Sequence, residues 1–137
     1  MTSIDSKIEA FLQEHHVAGL ATSFMDEPYC CSVFYVYLPQ EQALVITSSK
    51  ETRHIKDTSH NMFVAGMIHL ETEEIGKIQG LQYQGMLYEP SGEEWLKAKL
   101  AYLKRFPYAI LSGSSIWMIR LSALKYTDNR LGFGKIK

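Results

Sequence analysis

Six segments rich in β-branched and aromatic residues follow one another along the chain, and their spacing constrains the fold more than any other feature. Runs of this kind, bounded by turn residues, are typical of β-strands. The predicted strands are residues 18–25, 29–38, 43–47, 62–69, 77–89 and 115–126. Because most of them are joined by short turns, we expect antiparallel pairing between neighbours. The sequence therefore predicts a small antiparallel barrel that carries helices.

Turn residues and glycines refine this prediction. Residues 26–28 and 39–42 have turn compositions and flank the second strand. Gly80 and Gly85 lie inside the long strand predicted for residues 77–89, and glycines in a strand mark a bulge or a bend. We therefore expect a three-stranded meander followed by a curved part of the sheet.

Apolar residues recur at helical spacing near the start of the chain. They predict a helix over residues 4–15, with Thr2 or Ser3 as its N-cap. A second, short polar helix is predicted to follow Ser48 and end near residue 59, because Ser48 and Glu51 have the spacing of a capping box.

A third helix is predicted after Pro90, where Ser91 and Glu94 again have capping-box spacing. Pro107 ends this helix because proline cannot continue it. Its apolar stripe comprises Leu96, Leu100, Leu103 and Phe106. Residues 112–115 (SGSS) are expected to form a loop before the last strand.

Length and composition indicate one domain, residues 1–137, with 46% hydrophobic residues to form a core. No segment has the apolar length of a membrane span or the layout of a signal peptide. Cys30 and Cys31 are adjacent, which favours two reduced thiols over a disulfide. We expect a cytoplasmic protein that binds no membrane.

Charge is unevenly distributed along the chain. Residues 97–137 contain nine basic side chains and one acid (+8), and residues 1–96 contain five basic and fourteen acidic ones (−9), which gives the net charge of −1. This asymmetry fits an anionic small ligand or halves that complement each other within the fold or across a dimer. We expect no nucleic acid partner, since the basic residues are interleaved with strand and helix patterns.

The segment from Thr47 to His54 has the features of an anion site. The first turn of a helix offers unpaired N–H groups and a partial positive charge. Hydroxyls at Thr47, Ser48 and Thr52 add donors, and Arg53 carries a planar guanidinium suited to phosphate oxygens. From spacing alone, the simpler interpretation is that Ser48 and Glu51 only cap a helix.

Several motifs resemble the pyridoxamine-phosphate oxidase-like split β-barrel superfamily, over roughly residues 3–130. Those in the first half are residues 19–22 (GLAT), Pro28, Ser48 followed by 52–54 (TRH), and 61–65 (NMFVA). Within the superfamily, the chain is most similar to the small bacterial YhbP-type family. That similarity rests on residues 104–107 (KRFP), 117–121 (WMIRL), 125–129 (KYTDN) and 131–135 (LGFGK).

The resemblance implies a mainly β (α+β) fold, an antiparallel six-stranded split β-barrel with about three helices. It also implies flavin mononucleotide (FMN) bound at a homodimer interface. Thr47 and Ser48 would lie by the ribityl phosphate, with Thr52, Arg53 and His54 as the phosphate grip. The implied contacts to the flavin ring are backbone groups of Ser32, Val33 and Phe34, with Gln82 or Gln84 approaching from another side.

Three further residues are candidates for the cofactor site. Trp117 packs in the core or flanks the flavin ring. Asn129 and Arg130 follow the last strand, and Arg130 could reach the phosphate grip of a partner subunit. Two positions depart from the family pattern: His54 stands where a lysine is typical, and Cys31 stands where the oxidases carry an arginine.

The expected function is FMN binding, with oxidoreductase activity on an unknown substrate. No side chain is identified as a catalytic acid or base, and no set of residues has metal-ligand spacing. One alternative is a non-catalytic protein that binds or stores flavin or haem, with His54 or His69 as candidate haem ligands. Another is an interaction protein that kept the fold without the ligand.

Overall fold

The computed structural model describes residues 3–107 and 114–131. The proposed cap Thr2, residues 112–113 of the SGSS loop and residues 132–135 of the C-terminal motif lie outside these ranges. The elements, in chain order, are α1 (Ser6–Glu14), β1 (Val17–Phe24), β2 (Glu27–Phe34), β3 (Val36–Leu38), β4 (Ala43–Ser49), α2 (Arg53–His60), β5 (Phe63–His69), β6 (Gln79–Tyr88), α3 (Gly92–Arg105) and β7 (Ser114–Asp128). Short 3-10 turns span Ile75–Lys77 and Asn129–Leu131.

The described strands form one antiparallel sheet in the order β2-β1-β5-β6-β7-β4-β3. The sheet curls so that β2, at one edge, contacts β4, next to the other edge. This arrangement is a split barrel with helices against it, as predicted. No described helix has both the length and the apolarity that crossing a bilayer requires.

Seven strands replace the predicted six because the segment 29–38 divides at Tyr35. β2 pairs with β1 at one edge of the sheet, whereas β3 pairs with β4 at the other. Tyr35 lies between them and is fully buried. Its backbone N–H donates to His16 O (2.9 Å) and its hydroxyl to Leu12 O (2.8 Å), so the crossover is tied to the end of α1.

The first hairpin turn lies one residue earlier than predicted. Met25 and Asp26 form it, with φ angles of 53° and 64°. Two consecutive positive φ values characterise the type I′ turn, which matches the twist of a two-residue hairpin. Pro28 is therefore a strand residue, which is tolerated because β2 is an edge strand. The predicted bulge is confirmed between Gln84 and Gly85.

The helices follow the predicted pattern only in part. α1 buries Ile8, Phe11 and Leu12, as its apolar spacing predicts. Its N-cap is Asp5, whose carboxylate accepts a hydrogen bond from Lys7 N (2.8 Å). The predicted cap by Thr2 or Ser3 is therefore wrong. Ser91 is the N-cap of α3 but makes no side-chain capping bond, so the second capping box is not formed.

The predicted apolar stripe of α3 is wrong for its first two residues, whereas Phe106 packs against Tyr102 and the apolar residues of the sheet as predicted. Leu96 and Leu100 are 50% and 59% exposed. Ala98 and Tyr102 face the sheet instead, where they pack with apolar residues of β3, β4 and β7. The helix has apolar residues on two sides, and the side with the smaller alanines and the hydrogen-bonding Tyr102 fits closest to the sheet.

One tyrosine crosses the sheet over a glycine. Tyr83, opposite Gly66 in the β5–β6 pair, extends its ring across β5 and donates its hydroxyl to Gly19 O (2.9 Å). A Cβ at Gly66 would overlap both the Tyr83 ring and the Gly19 carbonyl. Only glycine leaves room for this buried contact.

The substitution Gly66→Ala should therefore lower the free energy of unfolding by about 2–3 kcal/mol, as overpacking of a core does. Gly76→Ala is the matched control, because a Cβ there has no neighbouring atom within 4 Å. Urea titrations of the three proteins measure the difference. Equal destabilisation by both substitutions would contradict the proposed clash.

Candidate functional site

The segment between β4 and α2 is organised differently from a capping box. Ser48 and Ser49 still belong to β4, where they pair with Ser115 and Ser114 of β7. The helix begins only at Arg53, with Thr52 as its N-cap. Thr52 Oγ1 donates to Ser49 O (2.8 Å) and makes no capping bond. The predicted cap by Ser48 is wrong because the β4–β7 ladder extends through that residue.

Ser48, His54 and Trp117 form a buried hydrogen-bonded cluster. His54 Nε2 lies 2.7 Å from Ser48 Oγ and 3.4 Å from Thr52 Oγ1. Trp117 Nε1 donates to Ser48 O (3.0 Å). Burial lowers the pKa of His54, and nearby Asp57 only partly offsets this effect. The imidazole is therefore a neutral packing group at pH 7, bonded within the protein.

Arg53 projects from the start of α2 onto β2. Its guanidinium lies over the Tyr29 ring, 4.6 Å from the centroid. Its two carboxylate neighbours, Glu27 and Asp57, are 3.6 and 3.7 Å away. Charge-assisted hydrogen bonds are about 2.7–2.9 Å long, so neither carboxylate binds the guanidinium closely. With 48% of the side chain exposed, Arg53 remains accessible to another anion.

Asp57 and Thr22 attach α2 to β1 next to Arg53. Neither residue was predicted from the sequence. Thr22 Oγ1 donates to Asp57 Oδ2 (3.0 Å), and both side chains are buried. This contact fixes α2 against β1. The signals were present: Thr22 is a polar residue at an inward position of β1, and Asp57 lies at the i+4 position from Arg53.

Thr47 points away from its neighbour Ser48. Successive strand residues face opposite sides of a sheet. Thr47 Oγ1 accordingly donates to the hydroxyl of Tyr102 on α3 (3.3 Å), whereas Ser48 faces His54. These two predicted phosphate contacts therefore do not converge through their side chains.

The predicted ring contacts lie on the edge strand. β2 pairs with β1 on one side and has no other strand partner in the part of the chain that the structure describes. Ser32 and Phe34 are exposed, and Val33 is buried. From Tyr29, beside Arg53, to Phe34 the strand extends for about 17 Å. Cys31 is half-buried, and burial raises the pKa of its thiol, so it is uncharged at pH 7.

Gln82 and Gln84 lie on the outer face of the sheet, in a different place from the β2 edge. Strand pairing aligns Ser32 with Gly19, Met67, Gln82 and Lys125 in one row. Ser32 and Gln82 are three strand spacings apart, about 14 Å. Both glutamines line an open groove of about 550 Å³, with small residues as its floor.

Asn129 and Arg130 are at the opposite end of the sheet from Arg53. Asn129 Nδ2 donates to Ile75 O (3.1 Å). Arg130 binds Asp128 through Nε (3.0 Å) and Nη2 (2.8 Å). Within one subunit these residues do not join the β4–α2 segment.

Comparisons with known proteins identify the family. The chain is 37% identical over 128 residues to a UPF0306 protein of Klebsiella pneumoniae, covering 93% of this chain and 87% of that protein. It is 35% identical over 128 residues to the UPF0306 protein YhbP of Escherichia fergusonii, with the same coverage. No family model matches. The chain belongs to the UPF0306 (YhbP) family.

Solved structures share the fold. A putative pyridoxamine 5'-phosphate oxidase from Listeria innocua has a TM-score of 0.70 at 18% identity, covering 88% of this chain and 94% of that one. A FAD-binding protein from Mesorhizobium loti has a TM-score of 0.72 at 14% identity, covering 88% of this chain and 92% of that one. A heme binding protein from Mycobacterium smegmatis has a TM-score of 0.78 at 21% identity. The alignment covers all of the present chain and 58% of the M. smegmatis protein. The fold is that of the oxidase-like split barrels.

The buried His54 makes stability depend on pH. Its pKa in the folded protein is below 6.5, so the unfolded chain binds the proton first as pH falls. The stability contributed by the neutral imidazole is complete above pH 6.5 and is lost as pH falls through that value toward the folded pKa.

We expect the free energy of unfolding to fall between pH 7.5 and 5 more steeply in the wild type than in His54→Gln, with urea titrations at each pH as the measurement. His60→Gln, at an exposed position, should keep the wild-type slope. His15 also has a lowered pKa, so the His54→Gln slope need not vanish. Identical slopes for the wild type and His54→Gln would contradict the buried neutral imidazole.

Proposed function

We propose that this protein binds FMN along the edge strand β2, with the phosphate at the start of α2. One observation carries the proposal: the uncapped first turn of α2 and the accessible guanidinium of Arg53 lie next to an edge strand in a fold shared with flavin proteins.

The chemistry of the α2 start fits a phosphate. Because Thr52 Oγ1 donates to Ser49 O, it does not satisfy the first amide groups of the helix. Those amides and the helix dipole favour an anion. Arg53 adds a cation with a planar set of donors, and the stacking on Tyr29 limits its motion. His54 contributes by packing, through Ser48, and supplies no charge.

The edge of β2 fits the rest of the cofactor. On the side of β2 that has no strand partner among the described residues, backbone N–H and C=O groups offer donors and acceptors to the polar edge of a flavin ring. The roughly 17 Å between Tyr29 and Phe34 leaves room for a ribityl chain between phosphate and ring. A bound flavin supplies hydride or electron transfer, and the chain supplies binding and orientation. We propose an oxidoreductase on this basis.

Flavin binding is tested with purified full-length protein and added FMN. Arg53→Ala should weaken FMN binding by about 10- to 100-fold, as expected for loss of charge-assisted hydrogen bonds. Lys104→Ala, an exposed cation on α3, should leave the affinity unchanged. Fluorescence quenching of FMN gives the dissociation constants. Wild-type affinity in Arg53→Ala would refute this phosphate site, and the absence of any FMN binding would favour an interaction protein that kept the fold.

We also propose a homodimer through the outer face of the sheet. A row of small or polar side chains crosses five strands there: Cys30, Ala21, Ala65, Gln84 and Ala123. Apolar Phe63 and Met67 flank the row and are 67% and 46% exposed. A face with exposed apolar residues and few charges suits a self-complementary two-fold contact.

Met67→Glu should convert the dimer to a monomer, because a two-fold contact would bury two new carboxylates near each other. Ile75→Glu, 64% exposed in the first 3-10 turn, is the control and should remain dimeric. Light scattering after size-exclusion chromatography gives the mass. A wild-type monomer would contradict the dimer directly.

Haem binding is the second candidate, because a protein of similar fold is a heme binding protein. Of the two histidines considered as ligands, His54 is buried with its Nε2 on Ser48, whereas His69 is exposed at the end of β5. A haem absorption band that is lost in His69→Ala, in protein that does not bind FMN, would favour this candidate over the flavin.

A further inference from the structure

Polar side chains at the end of β7, with Gln79 and Arg130, form a network that the proposed flavin site does not use. Tyr126 donates its hydroxyl to Gln79 Oε1 (3.0 Å), and Arg130 Nη2 donates to the same oxygen (3.2 Å). Asp128 is 3% exposed and accepts from Arg130 Nε, Nη2 and backbone N. A buried carboxylate with this many donors holds the guanidinium in one orientation.

This network forms one wall of a cleft of about 430 Å³. The opposite wall is α1, which contributes Lys7, Phe11 and Glu14. Strand pairing places the cleft at the end of the sheet away from the β1–β2 hairpin, and so away from Arg53. The volume is within the range of small-molecule sites.

Arg130 retains donors for a ligand. A guanidinium has five N–H groups. Nε and Nη2 bond to Asp128 and Gln79, whereas Nη1 has no hydrogen bond with any residue that the structure describes. Arg130 is also 56% exposed, so a carboxylate can reach it. Because Asp128 already fixes the side chain, little conformational freedom is lost on binding.

The helix wall carries one charge of each sign. Lys7 and Glu14 are two turns apart, about 10 Å along α1. Neither forms a salt bridge within the described parts of the chain. Between them the cleft is lined by Ala10, which is exposed, and by the 3% of Phe11 that is not buried. Asp128 neutralises Arg130, and Lys7 and Glu14 have opposite charges, so the cleft has no net charge. Its positive side chain, Lys7, and its negative one, Glu14, lie at different positions along α1.

We propose that this cleft binds a small zwitterion of the amino-acid class whose carboxylate and ammonium are separated by a short apolar chain. Arg130 Nη1 and the Lys7 ammonium bind the carboxylate, Glu14 binds the ammonium, and the apolar chain lies against Ala10 beside Phe11. A ligand with only one of the two charges leaves either Glu14 or Lys7 without a counter-charge, which makes it a poorer ligand.

The test uses the full chain and three probes of matched length: γ-aminobutyrate with both charges, butyrate with only the carboxylate, and butylamine with only the ammonium. Binding is followed by amide shifts in ¹H–¹⁵N spectra. We expect γ-aminobutyrate to shift α1 and β7 amides saturably and to bind several-fold tighter than either single-charge probe. No saturable shift up to millimolar concentrations, or equal binding of all three probes, would overturn the proposal.

Variants on the exposed wall keep the test independent of folding. Lys7→Gln and Glu14→Gln leave the Asp128–Arg130 pair intact, and each should weaken γ-aminobutyrate binding by about threefold, as expected for one exposed ion pair. Glu14→Gln should also abolish the preference over butyrate. Lys104→Gln, a surface cation on α3, is the matched control and should bind like the wild type. Unchanged affinity in both α1 variants would overturn the proposal, whatever the outcome of the FMN experiments.

Discussion

The buried Tyr35 is the contact on which the arrangement of the strands depends. Its backbone N–H and its hydroxyl bond to carbonyls at the end of α1 and just beyond, so the chain leaves β2 at a fixed point. From there β3 pairs at the other edge of the sheet, beside β4. One segment therefore supplies both edge strands. Among the described residues β2 has no strand partner on its other side, because β3 does not extend it, and Arg53 of α2 lies over Tyr29 of this strand.

Local periodicity was enough to predict most helices and strands. The exceptions arise where contacts between distant parts of the chain override a local sequence preference. Alternating residues marked the strands, and Gly85 marked the bulge. The division at Tyr35 escaped detection because a residue that changes strand partners keeps an extended backbone. Ser48 has capping-box spacing, but seven residues of β4 pair with β7, and their ladder bonds take precedence over a single side-chain cap.

The site was predictable in its residues but not in their orientations. Arg53 at the start of α2 remains accessible, as the proposed anion site needs, whereas Ser48 and His54 turn inward to bond each other. A sequence shows that hydroxyls and cations are close along the chain. It does not show that Thr47 and Ser48 face opposite sides, nor that Arg130 has a nearer carboxylate in Asp128. The same limit explains α3, which has apolar residues on two sides: spacing selected Leu96 and Leu100, which are exposed, in place of Ala98 and Tyr102, which face the sheet.

The departures from the oxidase pattern have a common electrostatic consequence. A neutral His54 and an uncharged Cys31 leave Arg53 as the cation of the proposed phosphate site, with Glu27 and Asp57 close enough to reduce its field. A phosphate monoester carries nearly two negative charges at pH 7. Its binding here would depend on the α2 amides as much as on side-chain charge. Hydrogen bonds from backbone amides are fixed in place and contribute no net charge, so such a site discriminates by geometry. A phosphate site with so little positive charge therefore favours a ligand that also forms hydrogen bonds with β2. A free phosphate ion, which does not reach β2, should bind more weakly.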